Sequence, residues 1–477
     1  MADPGALAFD KTGPQLVWFS NLSNKLGLTL HAAKFLPTGF KQEIPVSKGG
    51  DAGRALEIYG GRFEFAGEVI CSTPSDVFNR KGMHNAWRQA LITLDWLPDF
   101  SASGRKLHDQ YALRLLQYWS LTKNLKLSSH QSVVVTCALA TYGQQIARRC
   151  DKELQQNFLK VVSVHLRNLV NLKHRSAEAA LEKALAISYC VAAFQGLGHL
   201  QKLADDLIER NLSQVILLDG GHRSGDIHKL LAFLKLALPL QSVNAGVELS
   251  ASVTRSLALL RLLQGTDGQL SAVVCGDENV DANFAFGEQQ TEALNIAAAS
   301  GFARLEHGKS TLIANTSTAL AIEFYVGTKA LFHTTALTTG KSQPARLEIA
   351  SQGQALLMKT STASRIVFLS ANGDDIRVED RLQSGTQTEV TLLLPLNLKL
   401  LSMQEGQAIM IVMPDNTVWH LRQRGGSLHI GKTARHAQIL IKLCPDNRTG
   451  GINWSLKKQL RPSKLPRNKQ APTALLI

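Results

Sequence analysis

The run Val247-Glu-Leu-Ser-Ala-Ser-Val-Thr-Arg-Ser-Leu-Ala-Leu-Leu-Arg-Leu-Leu263 gives way to Gly265-Thr-Asp-Gly268, and soon afterwards the chain reads Ser310-Thr-Leu-Ile-Ala314 and Leu320-Ala-Ile-Glu-Phe-Tyr-Val326. The first stretch spaces its apolar residues by three and four, the period of a helix; the later ones are short apolar runs of strand length. The change falls across one Gly/Asp/Asn-rich segment, Gly265 to Gly287. Helices before it and strands after it predict two segregated domains.

Upstream of this junction the helical spacing recurs in Leu107–Leu121, Ser132–Arg148, Leu154–Leu172, Ala177–Leu197, Leu200–Leu218 and Ile227–Leu240. Breaks fall at Lys123-Asn124, Gly196-Leu-Gly198 and Gly220-Gly221. Helices joined by such short connections form antiparallel hairpins, which either close into an (α/α) toroid or stack as a solenoid. No fixed-length repeat favours the solenoid. Downstream, alternating runs follow at Arg346–Ala350, Ala355–Lys359, Arg365–Ser370, Glu389–Leu394, Ile409–Met413, Thr417–Arg422 and Ile439–Leu443, punctuated by Asn372-Gly373-Asp374, Asp415-Asn416 and Gly425-Gly426. That is the rhythm of an antiparallel β-sandwich. The expected organisation is an irregular N-terminal arm over 1–55 with one amphipathic stretch (Leu16–Phe35), a helical domain over 56–290 opening on a short strand at Tyr59–Ile70, a sandwich over 291–456, and a disordered basic tail over 457–477.

A chain of 477 residues exceeds what one core usually supports, and 44% hydrophobic with 19% charged residues argues against wholesale disorder. Lys and Arg number 52 against 38 Asp and Glu, a formal charge of +14. Such an excess favours encounter with polyanions: acidic glycans, nucleic acids or anionic membrane surfaces. Six of these cations (Lys457, Lys458, Arg461, Lys464, Arg467, Lys469) lie in the tail, which reads as a solvated terminus or as a polyanion-docking arm. The six cysteines contain no Cys-x-x-Cys pair, so buried free thiols are expected rather than disulfides or a zinc site. No apolar run reaches the length of a membrane span, and Met1-Ala-Asp-Pro-Gly5 does not open a signal peptide. Taken alone, that start points to the cytoplasm.

Several segments, in order, resemble the heparinase II/III-like family, particularly its alphaproteobacterial branch. Ile58-Tyr-Gly-Gly-Arg-Phe-Glu-Phe-Ala-Gly67 resembles the family's opening strand, and Ala86-Trp-Arg-Gln-Ala-Leu91 through Leu94-Asp-Trp-Leu97 its first helix. Asp219-Gly-Gly-His222 is similar to the turn that opens a toroid helix. Gly301-Phe-Ala-Arg-Leu-Glu-His-Gly308 with Thr311-Leu-Ile-Ala314 resembles the start of the sandwich, and Asp375-Ile-Arg-Val-Glu-Asp-Arg381 a later strand pair. The resemblance implies an (α/α) toroid, a β-sandwich, an acidic polysaccharide as partner, and cleavage of uronate-containing chains by β-elimination. It also leans toward the cell envelope or periplasm. The chemistry requires a group that neutralises the uronate carboxylate, a Tyr or His that removes the neighbouring proton, and an acid for the leaving oxygen.

Two departures from the family stand out. Many such lyases follow Asp-Gly-Gly-His with a carboxylate, a Ser and a Tyr-His pair, whereas this chain reads Arg223-Ser-Gly-Asp-Ile-His228-Lys229. Relatives also carry a His-Ala-His loop between the first two sandwich strands, while Leu312 to Leu320 passes almost directly from one strand to the next. Losing a base typically costs ~10²–10⁴ in rate. Attenuated lyase chemistry is therefore one expectation, and a non-catalytic glycan-binding relative is the other.

The candidate catalytic residues are His222, His228, Tyr111 and His333; the candidate substrate-binding residues are Arg223, Arg148, Arg149 and Trp119. Each has a plain structural reading beside it. Asp226 is a helix cap and His222 a turn-stabilising histidine; Tyr111, Tyr118 and Trp119 are core; Arg148 and Arg149 are cations at a helix end; His333 sits on a half-buried strand face. No metal-ligand spacing, phosphate loop or nucleophile elbow occurs, so no metal or cofactor is expected. Beyond charge, nothing supports specific nucleic-acid recognition, and nothing in the pattern bears on oligomeric state.

Overall fold

The structure is a computed structural model that describes residues 34–46, 49–122, 126–244, 246–276, 278, 280–285, 294–317, 319–334, 337, 342–382, 390–403, 407–424, 426–432, 438–445 and 451–459. The Leu16–Phe35 stretch (all but its last two residues), the rest of the arm before it and the tail from Arg461 onward lie outside the described residues. The chain divides into two compact units. One runs to Leu257 and includes Asn283–Gly287; the other holds Ala258–Ala282 and the chain from Glu288 onward.

The helical unit is built where the apolar spacing and capping residues agree. Ser128 and Gln131 form a reciprocal capping box in front of Ser129–Ala138, so two orphan donors are satisfied at once. Asp151 caps Lys152–Asn171, Ser176 caps Ala177–Ala193, and the Asp226 carboxylate accepts the His228 N–H at 2.8 Å at the start of Ile227–Asn244. Ala177–Ala193 is buried along most of its length, packed by Ser129–Ala138, Gln201–Val215 and Ile227–Asn244. The stretch expected as one helix over Ser132–Arg148 is interrupted by a π-helical turn at Leu139–Gly143. The helix expected to reach Leu197 stops at Ala193, because a strand takes over its next two residues. The strands of this unit are β1 (Gly39–Phe40), β2 (Arg62–Phe65), β3 (Glu68–Cys71) and β4 (Phe194–Gln195). β1 pairs with β4, and where the alternation at Tyr59–Ile70 predicts one short strand the chain forms two, the hairpin β2–β3. A helix, Ala52–Tyr59, begins inside the segment expected to be irregular.

The β unit contains β5 (Ile296–Ala297), β6 (Phe302–His307), β7 (Ser310–Asn315), β8 (Ile322–Val326), β9 (Lys329–Thr334), β10 (Ser342–Ala350), β11 (Gly353–Thr360), β12 (Ala363–Ser370), β13 (Asp375–Leu382), β14 (Val390–Pro395), β15 (Lys399–Met403), β16 (Ala408–Val412), β17 (Val418–Arg424), β18 (Gly426–Lys432), β19 (Gln438–Pro445) and β20 (Gly451–Lys458). They form two eight-stranded antiparallel sheets, ordered β10-β11-β12-β13-β20-β17-β16-β15 and β18-β19-β14-β9-β8-β7-β6-β5. Inward residues of both share one core, with Phe324 edge-on to Trp419 and Phe332 edge-on to Trp454. A charged clamp crosses it. Arg365 of β12 holds Asp380 of β13 and reaches the opposite sheet through the Leu320 carbonyl (2.5 Å) and the Thr334 hydroxyl (3.1 Å).

Three expectations are corrected here. Lys457 and Lys458 are not tail residues: they end β20, a central strand whose alternate residues Ile452, Trp454 and Leu456 enter the core. The helical unit does not hold an unbroken run to residue 290. Residues 258–282 group with the β unit, where Arg304 donates to the carbonyls of Leu262 (3.1 Å) and Gln264 (2.5 Å). No disulfide joins the six cysteines, but Cys71 is exposed and Cys275 and Cys444 are half-buried rather than buried. No described helix is long and apolar enough to cross a membrane.

Candidate functional site

In the helical unit the Asp219–Asp226 turn depends on a close backbone approach. Gly220 has φ +91°, and a Cβ there would lie 2.3 Å from the Arg255 carbonyl. The Ser256 hydroxyl donates to the Gly220 carbonyl (2.7 Å). This geometry seats His222 with 7% exposure. Its Nδ1 accepts the Ser224 N–H at 3.2 Å and lies 2.7 Å from the Ser224 hydroxyl. A backbone N–H is always a donor, so the neutral ring carries its proton on Nε2, which faces Glu178 at 3.9 Å. Burial lowers the His222 pKa, outweighing the opposing pull of Glu178. Glu178 also binds Lys229 (3.0 Å), and one turn along, Glu182 meets His130 (3.2 Å). His222 thus sits in a turn-stabilising arrangement that presents an N–H rather than a lone pair.

The other candidates in this unit are placed as follows. His228 is exposed on the first turn of its helix. The Arg223 guanidinium donates to the carbonyls of Gln214 (2.8 Å) and Ser213 (3.0 Å), finishing the helix Gln201–Val215. Tyr111 is buried beside Tyr59 and Phe100, and its hydroxyl donates to the Ile58 carbonyl (3.1 Å). Burial pushes that phenol far above its ordinary range. Trp119 is 1% exposed, donates to the Ile92 carbonyl (3.0 Å) and packs against His165. Arg149 grips Asp109 with two bonds (2.7 and 2.8 Å), and Arg148 lies over the Phe40 ring. The structure gathers His222, Ser224, Glu178 and Lys229 into one cluster; Tyr111 and Trp119 are core side chains.

In the β unit, a cavity of about 380 Å³ opens beside β8 and β9. Asp267, Glu278, Glu323, Tyr325, Phe332 and His333 line it. Glu323 and His333 are direct cross-strand partners, so their side chains share a face. The Glu323 carboxylate accepts the Ser271 hydroxyl (2.5 Å), the Ala272 N–H (2.7 Å) and the Tyr325 phenol. Burial raises the Glu323 pKa despite those donors, and raises Tyr325 well beyond its usual range. The phenol is accommodated because residue 265 is glycine: a Cβ there would lie 2.4 Å from its oxygen. A buried carboxyl, a phenol and an imidazole on one wall can accept and donate protons. The sequence reading found His333 but missed Glu323 and Tyr325; the signal available was Ile322-Glu-Phe-Tyr-Val326, two polar-tipped residues two apart in an otherwise apolar strand.

The link from β7 to β8 is six residues, Thr316 to Ala321, closed by the Asn315 N–H on the Ala321 carbonyl (2.8 Å). Among the described residues no group of His, Cys, Asp or Glu is placed to hold a metal ion.

Residues 329–442 match the family model described as Heparinase II/III-like, C-terminal. Among solved structures, the chain is similar to the heparan sulfate lyase HepC from Pedobacter heparinus (TM-score 0.67, 11% identity, 87% of this chain and 86% of that one). It is also similar to a heparinase III gene product (TM-score 0.64, 12% identity, 96% and 93% covered). A variant of the chondroitin AC lyase from Streptomyces coelicolor A3 matches with TM-score 0.54 and 10% identity over 93% and 82% of the two chains. At these identities the likeness is one of fold, an (α/α) toroid followed by an antiparallel β-sandwich. No curated protein matches.

Proposed function

We infer that this chain, whose residues 329–442 match the model described as Heparinase II/III-like, C-terminal, acts on acidic, uronate-containing polysaccharide by β-elimination. One observation carries this reading: His333, Glu323 and Tyr325 line one cavity, with His333 and Glu323 paired across neighbouring strands. β-Elimination needs those group types. The imidazole of His333 takes the proton next to the uronate carboxylate, and Tyr325, on the same cavity wall, serves as the acid for the leaving oxygen. Glu323, whose burial favours the protonated form, then offers an O–H to the sugar carboxylate as its charge develops. The printed names of the similar structures, lyases of heparan sulfate and chondroitin, support the substrate class. An envelope or extracytoplasmic place of action follows from that class of substrate.

A second reading, glycan binding without turnover, is favoured by two features. The six-residue β7–β8 link leaves no room for a histidine loop, and Asp267 and Glu278 add negative charge to the cavity wall. The purified chain, incubated with heparin, heparan sulfate and alginate, separates the readings. Appearance of unsaturated-uronate absorbance, reduced ~10²–10⁴-fold in His333→Gln, supports elimination. Salt-sensitive binding without product leaves the binder, and absence of both removes acidic polysaccharide from consideration.

A further inference from the structure

The outer face of the sheet β10-β11-β12-β13-β20-β17-β16-β15 carries a second feature, in the opposite layer of the sandwich from the His333 cavity. Strand register arranges it in two rows. Phe368, Arg377, Ser455 and Arg422 are successive cross-strand partners, and so are Ile366, Glu379, Asn453 and Arg424. These residues line an open depression of about 590 Å³. Arg422 and Arg424 lie two residues apart on one strand, about 7 Å, and Arg377 is two strand spacings from Arg422, about 10 Å.

The charges on this face are not balanced. Arg377 is tied to Asp375 (2.7 Å) and lies over the Phe368 ring, and Glu379 is held by Arg381. Arg422 and Arg424 are exposed and have no side-chain partner among the described residues. Next along the same face come Lys457 and His420, paired across β20 and β17. Two unpaired guanidiniums form a fork suited to sulfate or carboxylate oxygens. Asn453 and Ser455 between them offer hydrogen bonds, and Ile366, 38% exposed, offers an apolar contact for the C–H face of a sugar ring.

We propose that this sheet face is a second docking surface for acidic polysaccharide, in which Arg422 and Arg424 grip the anionic groups of a chain whose other part is handled elsewhere. The proposal rests on acidic polysaccharide being the ligand class of the protein. A nucleic acid fits less well: sites for single strands combine cations with several stacking aromatics, and these two rows hold one aromatic ring, already covered by Arg377. The surface would retain a long polymer by adding a weak, salt-sensitive contact to the first.

The test uses the full chain and its Arg422→Glu/Arg424→Glu variant, with heparin and alginate polymers as probes across a salt series. The variant is expected to unfold at the wild-type temperature, to lose about tenfold or more in polymer affinity, and to show a shallower dependence on salt. If the wild type binds neither polymer, the parent reading fails and this inference falls with it. If the wild type binds and the variant matches it at every salt concentration, only the second surface is refuted. If single-stranded DNA or RNA displaces heparin from the wild type but not from the variant, the face serves nucleic acid and the proposal is overturned.

Discussion

In the helical unit Arg149 grips Asp109, with 36% of the arginine side chain in contact with solvent; in the β unit Arg365 grips Asp380 with neither side chain more than 2% exposed. The chemistry of the two pairs is the same and their settings differ. Arg149 closes the bundle edge, taking the Ser101 carbonyl as well. Arg365 ties one sheet to the other, and Trp454 donates to its partner Asp380 (3.2 Å). Both pairs join segments apart in sequence; what differs is that each helix is set by nearby caps and apolar spacing, whereas each sheet needs strands brought from far along the chain. Truncating Arg365 strands a buried carboxylate, so Arg365→Met should destabilise the β unit by about 3–5 kcal/mol. Asp109 is fully buried but borders solvent through its partner, so Arg149→Met should cost less, about 1–3 kcal/mol. Urea unfolding of both variants measures the difference, and equal losses would break the contrast.

A middle-sized effect is expected from pH, with opposite signs in the two units. His165 of the helical unit packs on Trp119, and its Nε2 is buried without a hydrogen-bond partner among the described residues. Burial pushes its pKa down from 6.5 to about 4. The unfolded chain therefore binds this proton first on acidification, and stability is lost as pH falls through about 6.5 toward 4, roughly 2 kcal/mol by pH 5. Glu323 in the β unit is shifted the other way. Its folded form holds a proton that the unfolded chain has released, so its contribution fades as pH rises from the ordinary carboxylate range to its raised value. Thermal scans between pH 4 and pH 7 should show the helical unit weakening with acid, and His165→Phe should flatten that dependence. A helical transition insensitive to pH in the wild type would contradict the assignment.

The same division explains what could be read in the sequence. Helices whose caps and apolar faces are local, such as Lys152–Asn171 behind Asp151, were legible within a residue or two. β20 was not, although Ile452, Trp454 and Leu456 alternate, because its basic end merges with a cationic tail and its two neighbours, β13 and β17, come from far upstream. The candidate site follows suit. A glutamate in Ile322-Glu-Phe-Tyr-Val326 reads as a solvent-facing position; its burial is produced by Ser271 and Ala272, some fifty residues earlier, and no local period encodes that meeting. Tyr111 shows the converse, since only the Ile58 carbonyl, 53 residues away, reveals that its hydroxyl is already satisfied.

Tyr111 also supplies the smallest and most discriminating effect. Removing its hydroxyl leaves the ring packed between Tyr59 and Phe100 and takes one of two donors from the Ile58 carbonyl, which keeps the Gly61 N–H (3.0 Å). Tyr111→Phe should then lower stability by about 1 kcal/mol while polysaccharide binding and any product formation stay at the wild-type level. A phenol acting as the proton acceptor would produce the reverse pattern, with stability nearly intact and turnover reduced ~10²–10⁴-fold. Unfolding and rate measurements on one variant therefore decide whether proton transfer belongs to the core of the helical unit or to the cavity wall of the β unit. In the second case the corresponding rate loss appears in His333→Gln instead.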